Sequence, residues 1–114
     1  MHFIRGGQLG SGEPSSNPLF EGSAVLQPLI NAGGLRVNEV EFIDGARTKW
    51  HTHTFEQVLI VTRGAGIVAT DEGEQPVVPG DIVMFDAGER HWHGAQPNHS
   101  MTHISINGPG ETQW

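Results

Sequence analysis

Two histidine pairs carry most of the chemistry that this sequence offers. His51 and His53 form one His-x-His pair, and His91 and His93 form a second pair about forty residues later. In a β-strand, residues i and i+2 point to the same face, roughly 6.5–7 Å apart. Both imidazoles of a pair could then bind one ion of Zn, Mn, Fe, Ni or Cu. The alternative is that the pairs are hydrogen-bonded or exposed histidines without an ion.

Short strands are the elements that must position these pairs. The sequence shows no helical period, and it contains 16 Gly and 7 Pro in 114 residues. Its β-prone runs are separated by turn signals made of Gly, Pro, Asn and Asp. Many strands at such spacing predict an all-β sandwich or barrel in a single domain. The predicted strands are Ala24–Ile30, Leu35–Ile43, Gln57–Thr62, Gly66–Thr70, Asp81–Phe85 and Met101–Ile106.

Composition shifts predict how the domain is organised. We expect residues 1–22 to form an N-terminal arm and first strand region, residues 23–108 the barrel, and residues 109–114 a C-terminal tail. Gln8–Asn17 is rich in Gly, Ser and Pro, which is typical of a loop or mobile arm. Gly108-Pro109-Gly110 ends the last predicted strand.

Charge and cysteine content exclude several classes of function. The formal net charge is −7, and the six Lys and Arg residues are scattered singly, so no basic patch is available for nucleic acid or an anionic membrane surface. The absence of cysteine excludes disulfides, thiolate catalysis and cysteine-based zinc sites. No signal peptide or transmembrane run is visible. We therefore expect a soluble, cytoplasmic protein.

The spacing around both histidine pairs resembles that of a known family. The first stretch, Gly45-(five residues)-His51-Thr52-His53-(three residues)-Gln57-(six residues)-Gly64, looks like the first cupin motif, with Gln where most members carry Glu. Gly80, Gly88 and His91 look like the second motif, from which the chain departs at Asp86, usually Pro, and at Ala95, usually Asn. The resemblance implies a single-domain cupin β-barrel, or jelly roll, commonly dimeric, with a divalent metal in its mouth.

A narrower resemblance is to small bacterial cupins that include manganese-dependent hydroxynitrile lyases and the cupins associated with carboxymuconolactone decarboxylases. The stretches Gly-Glu-Arg-His-Trp-His-Gly-Ala and Met-Thr-His-Ile-Ser-Ile carry it. It implies one divalent ion per chain, with Mn favoured over Fe, Ni and Zn. The implied metal ligands are His51, His53, Gln57 and His91. The implied pocket residues are His93, His103, Asn38, Val40 and Asn107; those lyases typically carry Ala and Gln where Asn38 and Asn107 stand.

Gln57 gives such a site a distinctive charge. Three neutral imidazoles and one amide oxygen would leave a divalent ion its full +2 charge, whereas a carboxylate at position 57 would reduce it to +1. The neutral set favours Lewis-acid chemistry and anion binding over redox cycling. Glu56 has the opposite strand parity, so it is the weaker candidate for a ligand. The alternative for Gln57 is a polar residue that only hydrogen-bonds inside the barrel.

Several functions agree with this reading. We expect a lyase for a small hydroxy or carbonyl compound, or an anion, in which His93 and His103 handle the proton. The alternatives are that His93 only supports the metal ligands and that His103 is a buried structural histidine. With an unperturbed pKa near 6.5, a neutral imidazole is a workable base at neutral pH. A cyanohydrin substrate is implied only by the resemblance. The alternatives are a metal-dependent dioxygenase, a non-catalytic small-ligand-binding cupin, and isomerase or epimerase chemistry. A homodimer is expected.

Overall fold

The protein is an all-β molecule. The computed structural model describes residues 1–6 and 10–114, and within these ranges it contains strands and turns but no helix. The all-β prediction is therefore confirmed. No helix in these ranges is long and apolar enough to cross a bilayer. The described strands are β1 (Glu13–Pro14), β2 (Phe20–Ala32), β3 (Leu35–Thr48), β4 (Thr52–His53), β5 (Gln57–Gly64), β6 (Gly66–Thr70), β7 (Gly73–Val77), β8 (Ile82–Phe85), β9 (His91–Ala95), β10 (Met101–Asn107) and β11 (Thr112–Gln113).

The long strand β3 organises the main sheet. The strand order is β7-β6-β9-β3-β10-β5-β8, and β2 pairs with both β3 and β1. A second, two-stranded sheet pairs β11 with β4. All pairings are antiparallel. Because β3 pairs with β2 and β10 over most of its length and meets β9 near its end, at Arg47, the sheet curls around its core.

The six predicted strands all overlap observed ones, and Gly66–Thr70 matches β6 at both ends. The predicted strands did not include β7, β9 or the two-residue strands β1, β4 and β11. Strand β7 reads Gly-Glu-Gln-Pro-Val and lies at the sheet edge, where a proline and exposed polar residues are tolerated. Strand β9 reads His-Trp-His-Gly-Ala and is buried along its whole length, so it lacks the alternation of apolar and polar residues that marks a half-buried strand.

The predicted N-terminal loop needs one correction. Glu13 and Pro14 form strand β1 and pair with Leu26 and Val25 of β2. The Gly-Ser-Pro composition hid this short pairing, which depends on a strand more than ten residues away rather than on local propensity. Gln8 and Leu9, which belong to the same predicted loop, lie outside the described residues.

Two glycine positions are required by the backbone. Gly33 and Gly34 have φ angles of 63° and 79° and form the two-residue turn between β2 and β3, where both positions of a type I′ turn need positive φ. Gly94 lies opposite Arg47, and a Cβ atom added there would lie 2.3 Å from the Cβ of Arg47. A side chain at position 94 would therefore force β9 away from β3.

The apolar core is built from buried side chains of strands β2, β3 and β5 to β10, and it includes Phe42 of β3. The Phe42 side chain is fully buried, and burying a side chain of this size contributes about 1.5–3 kcal/mol. Its ring centroid lies 5.7 Å from that of Phe20, 5.7 Å from that of His93 and 5.3 Å from that of His103. Phe42 thus lies between the apolar core and the histidines at the polar end of the barrel.

Candidate metal centre

The two histidine pairs meet through their backbones. His51 N–H donates to the His91 carbonyl at 2.9 Å, and His91 N–H donates to the His51 carbonyl at 3.0 Å. This antiparallel bridge brings the two imidazole ring centroids to 4.3 Å. Both side chains are buried. His51 and His91, the first histidines of the two predicted pairs, therefore lie side by side, although forty residues of chain separate them.

His53 joins this group from strand β4, which the C-terminal tail supports. Thr112 of β11 pairs with His53, and its Oγ1 lies 2.7 Å from the His53 Nδ1. The His53 ring centroid lies 4.8 Å from that of His51 and 5.2 Å from that of His91. The tail thus takes part in building the site.

The Nδ1 atoms of these three histidines are all occupied. His51 Nδ1 donates to the Lys49 carbonyl at 2.7 Å, and His91 Nδ1 donates to the Glu89 carbonyl at 2.8 Å. A carbonyl oxygen only accepts, so in a neutral imidazole the Nε2 atom carries the lone pair. The Nε2 atoms of His51 and His53 are buried and have no hydrogen-bond partner. These lone pairs are what a metal ion requires of imidazole.

Gln57 completes the cluster. Its Oε1 lies 3.3 Å from the His91 Nε2, and its Nε2 donates to the Asn107 Oδ1 at 2.9 Å. Because His91 Nδ1 holds the proton of that ring, the close pair consists of two lone-pair atoms, an arrangement that a cation would stabilise. Glu56, the weaker candidate from the sequence, is exposed and does not line the cavity described below.

One group of three histidines among the described residues has nitrogen atoms close enough to hold a metal ion. In His51, His91 and His93, one ring nitrogen of each lies within 4.8 Å of the others. Distances between ring centroids favour His53 over His93 as the third member of this group. The His93 centroid lies 5.6 Å from that of His51 and 5.8 Å from that of His91, whereas the His53 centroid lies nearer to both. His51, His53, His91, His93 and Gln57 therefore form one buried cluster.

His93 and His103 form a pair of their own. The His103 Nε2 lies 3.0 Å from the His93 Nδ1, and both residues are buried. The His103 Nδ1 is also buried and has no partner. His93 backbone N–H donates to the Thr48 Oγ1 at 3.2 Å, which ties β9 to β3 at this point. A hydrogen-bonded imidazole pair can pass a proton from one ring to the other.

Burial controls the charge of the cluster. It lowers the pKa of His51, His53 and His91 to about 4, in each case against an opposing hydrogen bond that raises it. Burial also lowers the pKa of His103 to about 4, and burial followed by the charge of His103 lowers the pKa of His93 well below its usual range. All five rings are therefore neutral at neutral pH, so the unperturbed pKa near 6.5 expected from the sequence is corrected for His93.

A cavity of about 130 Å³ opens onto the cluster. Its size is close to that of an engineered cavity of about 150 Å³ that binds benzene. The predicted pocket residues Asn38, Val40 and Asn107 all line it, together with His51, His53, Gln57, His93 and His103. His91 does not line this cavity; it is fully buried behind it.

Sequence reasoning missed several residues that line the cavity. Arg36 shares a face of β3 with Asn38 and Val40, so strand parity could have found it. Phe55 lies two residues after His53, and its ring stacks on the His53 ring at 4.6 Å. Thr112 had no signal in the sequence, because it follows a Gly-Pro-Gly segment and reaches the site only through the pairing of β11 with β4.

The residues present fit a divalent ion. Three of the four imidazoles have their Nδ1 atoms held by a carbonyl or hydroxyl oxygen, the usual support of a metal-binding histidine. Two Nε2 lone pairs are buried without a partner, an arrangement that costs free energy unless another group satisfies them. Nitrogen and amide oxygen donors suit Mn, Fe, Ni and Zn.

Known proteins resemble this chain in sequence and in structure. An (R)-mandelonitrile lyase from Granulicella tundricola is 41% identical over 110 residues, which cover 93% of this chain and 83% of the relative. A cupin-like protein from Thermotoga maritima msb8 superposes with a TM-score of 0.87 at 32% identity, over 94% of this chain and 86% of the other. The polyketide cyclase RemF from Streptomyces resistomycificus superposes with a TM-score of 0.81 at 19% identity, over 95% of this chain and 79% of the other. At this identity the likeness shows a shared fold alone.

The family comparison agrees with these likenesses. The cupin domain family matches residues 38–106, which include both histidine pairs, Gln57 and His103. The curled antiparallel sheet is the single-domain cupin jelly roll that the sequence predicted. The chain belongs to the cupin family.

Proposed function

We propose that this protein is a metal-dependent lyase that cleaves a small 2-hydroxy nitrile or a related hydroxy or carbonyl compound. The observation that carries the proposal is the convergence of buried, unpartnered Nε2 lone pairs with the Gln57 Oε1 at the base of a small cavity. The relative from Granulicella tundricola, which is named for its action on mandelonitrile, supports this substrate class.

We assign the metal ligands as His51, His53, Gln57 and His91, with one ion per chain. The Nδ1 contacts support the assignment: the carbonyl partners of His51 and His91 place a lone pair on Nε2 of each ring, and Thr112 orients the His53 ring. His93 differs because its Nδ1 pairs with another imidazole. We propose Mn as the ion, because an amide oxygen beside imidazoles suits it, with Fe, Ni and Zn as alternatives.

The reaction that we propose divides the work between the ion and the protein. A divalent ion held by neutral ligands would supply Lewis-acid stabilisation to the oxygen or the anionic group of a substrate. His93 and His103 move the proton. An unprotonated nitrogen of this pair accepts the hydroxyl proton of the 2-hydroxy nitrile while the carbonyl forms. The C–C bond to the nitrile breaks, its electron pair leaves on cyanide, and cyanide takes up the proton as hydrogen cyanide.

The surroundings of His93 and His103 support this role. Both rings line the cavity and are neutral at neutral pH, so each can accept a proton from a substrate. The hydrogen bond between them allows the second ring to share the charge that the first acquires. Phe42 excludes water from the inner side of the pair.

The experiment measures metal content and turnover together. Wild-type protein loaded with Mn²⁺ is compared with His51→Ala and with His99→Ala, an exposed histidine that serves as the matched control. We expect about one ion per chain and release of benzaldehyde from mandelonitrile in the wild type and the control, with both lost in His51→Ala. A wild type that holds no ion would overturn the metal site. A loaded wild type that consumes oxygen instead of releasing aldehyde would overturn the lyase assignment in favour of a dioxygenase.

We also propose that the protein is a homodimer. Ile82 and Met84 on the edge strand β8 expose 69% and 57% of their surface, and a second copy could cover them. Light scattering coupled to gel filtration tests this directly: a monomer at micromolar concentration would contradict it. The cytoplasmic location stays a prediction from the sequence.

A further inference from the structure

Arg36 lines the same cavity as the histidines. It shares the inner face of β3 with Asn38 and Val40, and its Cα pairs across the sheet with that of Asn107 on β10. Its guanidinium carbon lies 5.1 Å from the centroid of the Phe55 ring, which in turn stacks on His53. The only other titratable residues lining this cavity, within the part of the chain that the structure describes, are histidines.

The guanidinium of Arg36 has donors that are not satisfied by the protein itself. Its Nη2 donates to the Gly108 carbonyl at 3.0 Å, and its Nε is buried without a partner. Arginine has five N–H donors arranged as a fork that matches a carboxylate. Three other arginines, Arg47, Arg63 and Arg90, each lie within 4 Å of a carboxylate oxygen. Among the described residues, no Asp or Glu forms such a pair with Arg36.

The positive charge of Arg36 has no acidic counterpart among the described residues that line the cavity. The chain carries 13 Asp and Glu residues, yet none of the described residues that line the cavity is acidic. The proposed metal ligands are neutral, so a bound divalent ion would add to the charge of Arg36 rather than cancel it. Positive charge without a counter-ion in a cleft attracts an anion. The remaining wall is apolar where Leu26, Val40 and Phe55 line it.

We propose that Arg36 binds a carboxylate group of the natural substrate, which is therefore a small 2-hydroxy or 2-oxo acid with an apolar body. The inference rests on the proposed function, because it places the reacting carbon at the metal and histidine end of the same cavity. The carboxylate accepts hydrogen bonds from the guanidinium, and the apolar body lies against Val40 and Phe55. Arg36 is in this sense a specificity-determining residue.

The test uses two probes of similar size that differ in whether they carry a carboxylate. Mandelate carries the carboxylate and mandelamide is its neutral counterpart; both are titrated calorimetrically into Mn²⁺-loaded protein. The variants are Arg36→Gln, Arg36→Lys, and Arg63→Gln as the matched control, since Arg63 is exposed and loses the same charge. Mn content and the unfolding temperature are measured on the same samples.

We expect Arg36→Gln to weaken mandelate binding by about tenfold to a hundredfold and to leave mandelamide binding nearly unchanged. Arg36→Lys, which keeps the charge and loses the fork, should fall between the two. Arg63→Gln should match the wild type. The inference is overturned if Arg36→Gln and Arg36→Lys both hold Mn and bind mandelate as the wild type does. A wild type without Mn overturns the proposed metal site instead, and the Mn measurement tells the two failures apart.

Discussion

The side chain of Gln57 is held by Asn107, its direct cross-strand partner: Gln57 Nε2 donates to Asn107 Oδ1 at 2.9 Å. This hydrogen bond determines which end of the Gln57 amide faces the histidines. Because the amide nitrogen is bonded to Asn107, the amide oxygen Oε1 points towards His91. Asn107 is therefore a positioning residue for the proposed amide ligand.

Replacing Asn107 should weaken the metal site. In Asn107→Ala the Gln57 amide is free to turn its nitrogen towards the histidines, and we expect the affinity for Mn²⁺ to fall by about 10- to 100-fold. Asn107→Asp, which keeps an acceptor for the amide, should retain most of the affinity. Competition with a fluorescent chelator measures both, and exposed Asn31→Ala is the control. Equal affinities in Asn107→Ala and the wild type would rule out the positioning role.

Replacing Gln57 by a carboxylate should tighten metal binding. Gln57→Glu adds a negative charge beside the ion, so we expect slower loss of Mn²⁺ during gel filtration and easier oxidation of the bound ion to the trivalent state. The same change should reduce lyase turnover, because the ion becomes a weaker Lewis acid. Exposed Gln75→Glu carries the same charge change and should behave as the wild type. Faster metal loss in Gln57→Glu would contradict Gln57 as a ligand.

The C-terminal tail should contribute to metal affinity through Thr112. Thr112→Val removes the hydroxyl that contacts His53 Nδ1, and the loss of such a partner typically costs about 10- to 100-fold in affinity. Thr112→Ser should restore the contact. Thr62→Val, which removes a hydroxyl bonded to the Thr102 carbonyl, is the control outside the site. If Val and Ser at position 112 gave the same affinity, the tail would have a packing role only.

The metal-free protein should lose stability as the pH falls. Folding lowers the pKa of His51, His53, His91 and His103 to about 4, whereas each titrates near 6.5 when unfolded. Below about pH 6.5 the unfolded chain thus binds protons that the folded chain does not. The free energy of unfolding then decreases by up to about 1.4 kcal/mol per histidine per pH unit.

Urea unfolding in the presence of a chelator measures this dependence. The loss should begin near pH 6.5 and continue towards pH 4, where the folded-state groups begin to titrate. A free energy of unfolding that stays constant between about pH 7 and pH 5 would show that these rings are charged or exposed in the folded protein.

Gly94 should be indispensable for the contact between β9 and β3. Gly94→Ala places a Cβ atom 2.3 Å from that of Arg47, so we expect a destabilisation of about 1–3 kcal/mol or more and a weaker metal site, since β9 carries His91 and His93. Gly10→Ala is the control, because a Cβ atom there would meet no other atom within 4 Å. Thermal unfolding compares the two, and equal unfolding temperatures would falsify the close approach.

The sequence by itself determined the strand class and most of the candidate site. Alternation within strands places His51 with His53, and Asn38 with Val40, on common faces, and such local parity needs no knowledge of the tertiary structure. The spacing of the two motifs then linked these faces to one family. The short strands β1, β4 and β11 were less accessible, because β1 pairs with β2 and β11 pairs with β4 from distant parts of the chain. Strands β7 and β9 were missed because their residues lack the alternation of a half-buried strand.

Only the tertiary structure decided which groups complete the site. Thr112 reaches His53 across 59 residues of chain, and His93 meets His103 through two strands that lie apart in the sheet. The lowered pKa values exist because folding removes water from all five imidazoles together, which no single stretch of sequence encodes. The same holds for Arg36, whose residue type was visible from the start but whose lack of an acidic partner emerges only when the cavity walls assemble around it.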